Sequence, residues 1–465
     1  MHTSTTSTAR LEPWTDQQLQ DATQGQWYQT IQPVIPIQRI VTDSRHAQIG
    51  DAFLALKGER FDAHDFVEQV AAQGASCIIV QHAIEGLSIP QLIVADTRLA
   101  LGHLGAYRRQ QCQHLKVVAL TGSSGKTTTK EMLGSIFSRL GETLVTRGNL
   151  NNDLGVPMML LELRSDHRFA VMELGASHQG EIDYTSNLVQ PDVAGIINIG
   201  TAHLGEFGGR QAICTAKSEI YPHIKPEGIA IIPAADDFAQ EIRDAAQQSS
   251  QLSFGQGGTI YAEHIVLDAQ SSRFDLVTPQ GTIAIELPFA GQHNVQNAEA
   301  AAAFALAMGV NLQDIAHGLA QAQGAKGRLN FIQHQQYTLI DDTYNANPNS
   351  MRAAADVLCQ QTGLKVMVMG DIGELGAEAQ EEHFALGRDL VQKPLDYLVA
   401  VGEYAATIRD GAQVAHCLAY TNQQDALAAL LEIIEKHQSQ PMSVLFKGSR
   451  YTHMEHLLTA LAEKL

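Results

Sequence analysis

The chain is patterned as short apolar runs that alternate with stretches of helical spacing. Such runs are typical of strands buried on both faces of a parallel sheet, because those strands show no polar side to solvent. In the middle of the chain they lie at 117–120, 169–172, 193–199 and 229–232. An alanine-rich run at 298–308 is followed by Gly309, which predicts a helix with a glycine stop. The pattern predicts an α/β fold with parallel sheets covered by helices.

The same pattern divides the 465 residues into three sections. A Gly/Ala/Gln-rich stretch at 318–327 is the predicted linker, and the candidate hinge, between the second section and the third. We therefore expect domains at 1–115, 116–327 and 328–465. The apolar runs that support the two outer domains lie at 52–56, 77–80, 92–95, 366–369, 398–401 and 444–446.

Composition narrows the class of protein. A hydrophobic content of 45% and a charged content of 17% are those of a soluble globular protein. The formal charge of −19 argues against a general nucleic-acid binder, which needs a basic face. The five cysteines are scattered with no C-x-x-C pair, so we expect neither a zinc site nor a disulfide framework, and a reducing compartment fits.

Targeting signals are not found in the sequence. The opening residues, MHTSTTSTAR, are polar and contain no apolar h-region. No apolar run approaches the roughly 18 residues of a membrane span. We expect a cytoplasmic protein that binds neither membrane nor nucleic acid.

The segment at 117–129, VVALTGSSGKTTT, is the strongest chemical signal in the chain. An apolar strand leads into a Gly/Ser loop, then into a Lys-Thr pair and a helical pattern. Such a loop presents backbone N–H groups and a helix N-terminus to phosphates, Lys126 supplies a cation and Thr127 offers a hydroxyl to Mg²⁺. An ordinary glycine-rich turn would leave Lys126 without a purpose. The predicted nucleotide-binding residues are Gly122, Ser123, Ser124, Gly125, Lys126, Thr127 and Thr128.

Three further candidates follow the central strands, where a parallel sheet presents its site. Glu173 is placed to bind a hard metal, with a solvated strand-end carboxylate as the alternative. His203 is a lone histidine, which is more often structural than functional. Lys217 lies in a helical stretch, and its residues alone favour a solvated helix face.

Polar residues around the predicted linker form a second group of candidates. Asn294 and Asn297 share one helix face, where amides could read an adenine, hold a loop or cap the helix. Arg328 and Asp342 could tie two domains together around a nucleotide.

Taken in order, these motifs resemble the Mur ligase family of ATP-dependent amide-bond-forming enzymes. The motifs are TGSSGKTT from Thr121, the strand-end Glu173, NIGTAH ending at His203, AKSE around Lys217, GQHNVQNAEAA from Gly291, Gly327-Arg328 and DDTYNANP from Asp341. The family shows the same shortened glycine loop, in which Gly122 stands only three residues before Gly125.

The resemblance implies a fold and a set of site residues. It implies a small N-terminal α/β domain for a UDP-sugar substrate, a central ATP-binding domain with a P-loop-type parallel sheet, and a Rossmann-like C-terminal domain. Thr127, Glu173 and His203 match ligands of two Mg²⁺ ions, and Lys217 matches a lysine that becomes carbamylated. Asn297, Arg328 and Asp342 match residues that contact the nucleotide. Lys126, His203 and Lys217 are the implied catalytic residues.

The resemblance also implies an activity. ALKGERFDAHDF at 55–66, YNANPNSM at 344–351 and the GDIGELG loop at 370–376 are similar to the family member that acts last in peptidoglycan precursor synthesis. We therefore expect D-Ala-D-Ala to be joined to UDP-N-acetylmuramoyl-tripeptide, by a monomer, with ADP and phosphate as products. Ser44 and Arg45 are expected to contact the uridine nucleotide. Asn345, Asn347 and the loop at 447–450 are candidates for the D-Ala-D-Ala site on the C-terminal domain.

Three alternatives remain open at this point. A sibling ligase that adds a diamino acid is disfavoured because its D-N-P-R stretch is absent. A folylpolyglutamate-type synthetase would not need the N-terminal section. An ATP-driven switch without ligase chemistry would leave Glu173, His203 and Lys217 unexplained.

Overall fold

The computed structural model describes residues 12–30, 36–58, 61–201 and 204–465. Up to Gln111 these residues form helices α1 (Asp16–Thr23), α2 (Val67–Ala72) and α3 (Thr97–Gln111), strands β1 (Gln26–Trp27), β2 (Arg39–Val41), β3 (Asp51–Leu54), β4 (Cys77–Val80) and β5 (Gln91–Ile93), and short 3₁₀ helices at Tyr28–Thr30, Ser44–His46 and Ala63–Phe66.

The middle of the chain contains nine strands and eight helices among the described residues. The strands are β6 (Lys116–Thr121), β7 (Thr143–Val145), β8 (Phe169–Glu173), β9 (Val193–Ile196), β10 (Ile229–Pro233), β11 (Ser250–Phe254), β12 (Tyr261–Leu267), β13 (Ser272–Thr278) and β14 (Gly281–Leu287). The helices are α4 (Lys126–Ser138), α5 (Gly155–Leu160), α6 (Glu181–Val189), α7 (Leu204–Phe207), α8 (Arg210–Ser218), α9 (Ala239–Ala245), α10 (Gln292–Ala307) and α11 (Leu312–Gln321).

The last section alternates strands and helices. The strands are β15 (Asn330–His334), β16 (Tyr337–Asp342), β17 (Leu364–Gly370), β18 (Tyr397–Val401), β19 (Cys417–Tyr420) and β20 (Met442–Lys447). The helices are α12 (Pro348–Cys359), α13 (Ala379–Leu390), α14 (Ala405–Ala412), α15 (Gln423–Lys436) and α16 (Met454–Ala462), with 3₁₀ helices at Gly376–Glu378 and Arg450–Thr452.

The described residues fall into two compact units. The first contains the chain up to Ala119 together with Gly141–Gly175 and Glu181–Asp192, and the second contains Leu120–Leu140, Ala176–Gly180 and Val193–Leu465. No described helix is both long enough and apolar enough to cross a bilayer.

The first unit contains a five-stranded sheet in the order β1-β5-β4-β3-β2. Its strands run parallel except for β1, which is antiparallel to β5. The two faces of this sheet bury separate clusters, one around Leu54, Ile79 and Leu104 and the other around Phe53 and Ile78. Alternate residues of β3 and β4 therefore enter opposite cores, as the continuous apolar runs predict. The same unit holds β7 and β8, which also pair in parallel.

The second unit contains three groups of strands. Strands β9, β10 and β11 pair in parallel. Strands β12, β13 and β14 form an antiparallel sheet that the apolar runs do not predict. Its strands alternate buried and exposed positions, a period-2 signal that is weaker than a continuous apolar run. The six strands of the last section have the order β15-β16-β20-β17-β18-β19, parallel except for β15, with a buried cluster on each face.

The predicted linker at 318–327 is wrong in its first part. Helix α11 continues to Gln321, so only residues 322–327 connect it to the last section. Gly318 lies within this helix at a point where there is no room for a side chain. A Cβ there would lie 2.6 Å from Cα of Ile136. The Ser135 hydroxyl donates to the Gly318 carbonyl oxygen at 2.7 Å and fixes the helix on α4. Glycine marks a close helix contact here and not a flexible joint.

Candidate nucleotide-binding and ligation site

The phosphate-loop candidate joins β6 to α4 in the geometry that its glycines predict. Gly125 is the N-cap of α4 with a φ of 79°, and no side chain caps the helix there. As a glycine, Gly125 has no side chain to occupy this helix N-terminus, which favours an anion site there. A Cβ on Gly125 would lie 2.2 Å from Oδ1 of Asn297, and one on Gly122 would lie 3.1 Å from Cβ of Ile197. Gly125 thus needs glycine for its close contact and for its φ, and Gly122 lies in a tight contact.

Asn198 holds this loop from the end of β9. Its Oδ1 accepts from the Ser124 N–H at 2.9 Å, and its Nδ2 donates to the Ser124 carbonyl oxygen at 2.9 Å. The Gly200 N–H also donates to Oγ of Ser123 at 2.8 Å. The sequence analysis gave Asn198 no role, although it lies just beyond a strand end, where a parallel sheet presents its site. The apolar run at 193–199 is a strand only as far as Ile196, and the rest of it positions this amide.

Lys126 and Lys217, the two lysines predicted to be catalytic, both lie in the second unit. The Lys126 ammonium donates to the Gly122 carbonyl oxygen at 2.7 Å, so its side chain folds back over the loop. Lys217 is 1% exposed, so the prediction of a solvated helix face is wrong. Burial, and secondarily the charge of Lys126, holds the pKa of Lys217 well below its usual range. Burial therefore favours the uncharged amine of Lys217 over the ammonium form.

A cavity of about 1050 Å³ opens beside the loop. It is lined by Ser124, Gly125 and Thr128, by the segment after β9, by the start of α10 and by residues of the last section. Asn297, Arg328 and Asp342, predicted to contact a nucleotide, all line it. The structure thus brings these three residues together with the phosphate loop.

The start of α10 forms one wall of the cavity. Asn297 donates through Nδ2 to Oδ1 of Asn294 at 3.0 Å, and Asn294 donates to the Ala290 carbonyl oxygen at 2.8 Å. Neither amide caps the helix, because the N-cap is Gly291 and no side chain bonds there. The two residues instead form a chain that holds the amide of Asn297 against Gly125.

Glu299 is a lining residue that the sequence analysis missed. Its Oε1 accepts from the Ala262 N–H at 2.7 Å, and burial raises its pKa to about 7. The sequence signal is a single carboxylate inside an alanine-rich run, which is unusual for a helix that is buried all round.

Asp342 and Lys447 form a buried ion pair that also lines the cavity. They end the neighbouring parallel strands β16 and β20, and Nζ of Lys447 lies 2.7 Å from Oδ2 of Asp342. Burial raises the pKa of Asp342, and the Lys447 ammonium opposes this shift. The guanidinium of Arg328 lies 4.4 Å from the ring centre of Tyr344. Burial and the charge of Lys447 lower the pKa of His293, another lining residue, to about 4.

The structure describes two of the three remaining predicted metal ligands. Thr127 is buried in the first turn of α4. Glu173 ends β8 in the first unit, where it is buried and accepts from Nδ2 of Asn151 at 2.8 Å. His203 lies outside the described residues. The assignment of these residues to Mg²⁺ stays a prediction.

The predicted substrate residues lie in both units. In the first unit, Ser44 begins a 3₁₀ helix capped by Asp43, and the exposed Arg45 pairs with Asp43 at 2.6 Å. In the second unit, the Asn345 carbonyl oxygen accepts from Lys447 at 2.9 Å. Asn347 caps α12 and donates to Oγ of Ser124 at 3.0 Å. Contact of these four residues with a substrate stays a prediction.

Comparison with known proteins assigns the chain to a class. Residues 36–108 match the domain described as "Mur ligase family, catalytic domain", residues 120–305 match "Mur ligase middle domain", and residues 327–450 match "Mur ligase, glutamate ligase domain". The chain belongs to the Mur ligase family, and its three-domain α/β fold is the fold of that family.

Individual relatives share nearly the whole length. The chain is 42% identical over 440 residues to a UDP-N-acetylmuramoyl-tripeptide–D-alanyl-D-alanine ligase of Haemophilus influenzae, a match that covers 93% of this chain and 95% of the relative. A crystal structure of MurF from Acinetobacter baumannii is 66% identical, with a TM-score of 0.96 and coverage of 98% of this chain and 100% of that one. MurF from Thermotoga maritima in complex with ADP is 28% identical, with a TM-score of 0.82 and coverage of 92% and 97%.

Proposed function

We propose that this chain is an ATP-dependent ligase that joins D-Ala-D-Ala to UDP-N-acetylmuramoyl-tripeptide in peptidoglycan precursor synthesis. The observation that carries the proposal is the cavity beside the phosphate loop, which brings Asn297, Arg328 and the Asp342–Lys447 pair together. A site of this kind suits a nucleoside triphosphate, because it combines a helix N-terminus with the cationic side chains of Arg328 and Lys447. The choice of substrates is supported by full-length relatives that bear this activity in their names.

The reaction divides into two displacements. A carboxylate oxygen of the tripeptide attacks the γ-phosphorus of ATP, the bond to the β-phosphate oxygen breaks, and ADP leaves an acyl phosphate. The amine of D-Ala-D-Ala then attacks the acyl carbon, loses a proton and expels phosphate, which forms the amide. The N–H groups of the loop and Lys126 offset the charge on the transferring phosphoryl group, and no covalent nucleophile is required.

Carbamylation of Lys217 fits its environment. Burial favours the uncharged amine, which can attack CO₂ and lose a proton, so that the side chain becomes a carbamate anion. That anion would join Thr127, Glu173 and His203 as the predicted Mg²⁺ ligands, an assignment that rests on the family resemblance. Bound Mg²⁺ supplies positive charge to the phosphate oxygens.

The domain assignment completes the proposal. Residues 1–115 bind the UDP-sugar portion, with Ser44 and Arg45 at the nucleotide. Residues 116–327 bind ATP, and residues 328–465 carry the acceptor site, with Asn345 as a contact. The protein acts as a cytoplasmic monomer, with residues 322–327 as the hinge between the second and third domains.

Phosphate release tests the proposed function. The purified chain is given ATP, Mg²⁺ and UDP-N-acetylmuramoyl-tripeptide, with and without D-Ala-D-Ala. We expect release that depends on the dipeptide and a UDP-pentapeptide in the mass spectrum, both lost in Lys126→Ala. Release without regard to either substrate would favour an ATP-driven switch. Turnover with a UDP-dipeptide and a diamino acid, or with a folate and glutamate, would favour the other ligases.

A further inference from the structure

Each residue of the loop at 344–347, between β16 and α12, is hydrogen-bonded to one of three other segments of the second unit. The Tyr344 N–H donates to the Gly327 carbonyl oxygen at 3.0 Å. The Asn345 carbonyl oxygen accepts from Lys447 at 2.9 Å, and the Ala346 carbonyl oxygen accepts from the Ser449 hydroxyl at 3.4 Å. Asn347 donates to the Ser124 hydroxyl oxygen at 3.0 Å. The loop thus joins the interdomain segment, the end of β20 and the phosphate loop.

Asn347 uses both ends of its amide. Oδ1 accepts from the Ser350 N–H at 2.9 Å, which caps α12, and the Ser350 side chain completes the capping box. Nδ2 donates to Ser124, whose backbone is already clamped on both sides by Asn198. One side chain therefore fixes the start of α12 against the rigid part of the phosphate loop.

The connection extends to the GDIGELG loop through Ser449. Its hydroxyl oxygen accepts from the Gly373 N–H at 2.8 Å, while its own N–H donates to the Asp371 carbonyl oxygen at 3.0 Å. A change at Ser124 can therefore reach Gly373 through Asn347, Ala346 and Ser449. These groups are neutral, so the path acts by position and not by charge.

We infer that Asn347 is a positioning residue. It aligns the loops of the last section with the phosphate loop, so that the amine and not water attacks the acyl phosphate. This role rests on the proposed function of the site. Attack by water on the acyl phosphate would restore the carboxylate and release phosphate, so ATP would be consumed without amide formation. Exclusion of water at this step is the requirement that the contact serves.

Asn347→Ser separates this role from helix capping. Serine is as good an N-cap as asparagine, but its hydroxyl is too short to reach Ser124. Asn422→Ser is the matched control, because Asn422 caps α15 through the Asp425 N–H in the same way. The measurements are amide formed, phosphate released and the KM of each substrate.

We expect Asn347→Ser to raise the KM for D-Ala-D-Ala by about three- to tenfold, the range for one lost hydrogen bond. We also expect more phosphate than amide, with a smaller change in the KM for ATP. Asn422→Ser should release phosphate and amide in equal amounts, as the unmodified chain does. The inference would be overturned if both variants released phosphate and amide in the same ratio and the KM for the dipeptide were unchanged.

A double-mutant cycle with Ser124→Ala tests whether Asn347 acts through Ser124. If it does, adding Asn347→Ser to Ser124→Ala causes no further rise in the ratio of phosphate released to amide formed. Multiplication of the two separate effects would contradict the path. If the unmodified chain shows no dipeptide-dependent phosphate release, the proposed function fails and this inference with it. If the unmodified chain does show this release but Asn347→Ser behaves like Asn422→Ser, only the inference about Asn347 fails.

Discussion

Lys217 shows how strongly burial can change the chemistry of one residue. A lysine in the sequence TAKSEIY is ordinarily a solvated cation, but here it is 1% exposed and interacts electrostatically with Lys126. Both effects disfavour the charged form. Glu299 shows the opposite case, because burial raises the pKa of its carboxyl group to about 7.

For Lys217 we expect a carbamate that can be observed directly. Under ¹³CO₂ the unmodified protein should give a carbamate ¹³C signal that Lys217→Met lacks. Loss of an anion at the metal site should reduce ligation on the order of 10²–10³-fold. Lys436→Met, a change at an exposed lysine on α15, is the control and should keep both the signal and the activity. An active Lys217→Met protein would contradict the assignment.

For Glu299 we expect a pH-dependent stability in the ligand-free protein. Between the ordinary pKa and about 7 the native state holds a proton that the unfolded chain has released. The free energy of unfolding therefore falls as pH rises through this window, by up to about 3 kcal/mol. Glu299→Gln removes this loss, so its gain in Tm over the unmodified protein should be larger at pH 8 than at pH 5. The exposed Glu286→Gln is the control, and parallel profiles for Glu299→Gln would contradict the prediction.

At the scale of elements, the contact between α4 and α11 determines where the linker begins. Sequence reasoning takes the Gly/Ala/Gln-rich stretch as flexible from Gly318 onward. The structure keeps Gly318 in the helix, because its missing side chain lets α11 approach the backbone of α4. The phosphate loop precedes α4, so this packing also supports the nucleotide site.

Two positions in α11 should prefer different residues, glycine at 318 and alanine at 320. Gly318→Ala gains about 1 kcal/mol of helix propensity but places a Cβ 2.6 Å from the Ile136 Cα, and such overpacking costs about 1–3 kcal/mol. We expect its Tm to fall. Ala320→Gly, at an exposed position of the same helix, should also lower Tm by the propensity term alone. A higher Tm for Gly318→Ala would show that the helices separate without cost.

At the scale of the whole molecule, the last section of the chain is joined to the nucleotide-binding section by residues 322–327. Around this connection, the second unit brings the phosphate loop, the α10 residues and the Asp342–Lys447 pair around one cavity. A two-step ligation needs such a joint to admit substrates and then exclude water.

Gln323→Pro tests the joint. Ala322 has a ψ of 142°, the extended backbone that a residue before proline prefers, so the preceding residue accepts the substitution. If motion occurs here, restricting it should lower kcat several-fold while the free energy of unfolding changes by no more than about 0.5 kcal/mol, as is typical of surface changes. An unchanged kcat would show that the hinge lies elsewhere in the chain.

The sequence by itself determined the features that depend on near neighbours. Continuous apolar runs at 117–120, 229–232 and 444–446 became strands, and GSSGKTT became a loop entering a helix. The ordered motifs also indicated the Mur ligase family, which the comparisons confirm. These signals are local, because periodicity and loop chemistry involve residues a few positions apart.

Only the tertiary structure decided which distant residues meet. Asn347 and Ser124 are 223 positions apart, and Asn198 and Ser124 are 74 apart, so no local pattern contains either pair. The burial of Lys217 and the pKa values of Glu299 and His293 depend in the same way on the segments that cover them. Side-chain periodicity specifies strands and helices, but desolvation and pairing arise only when these elements pack together.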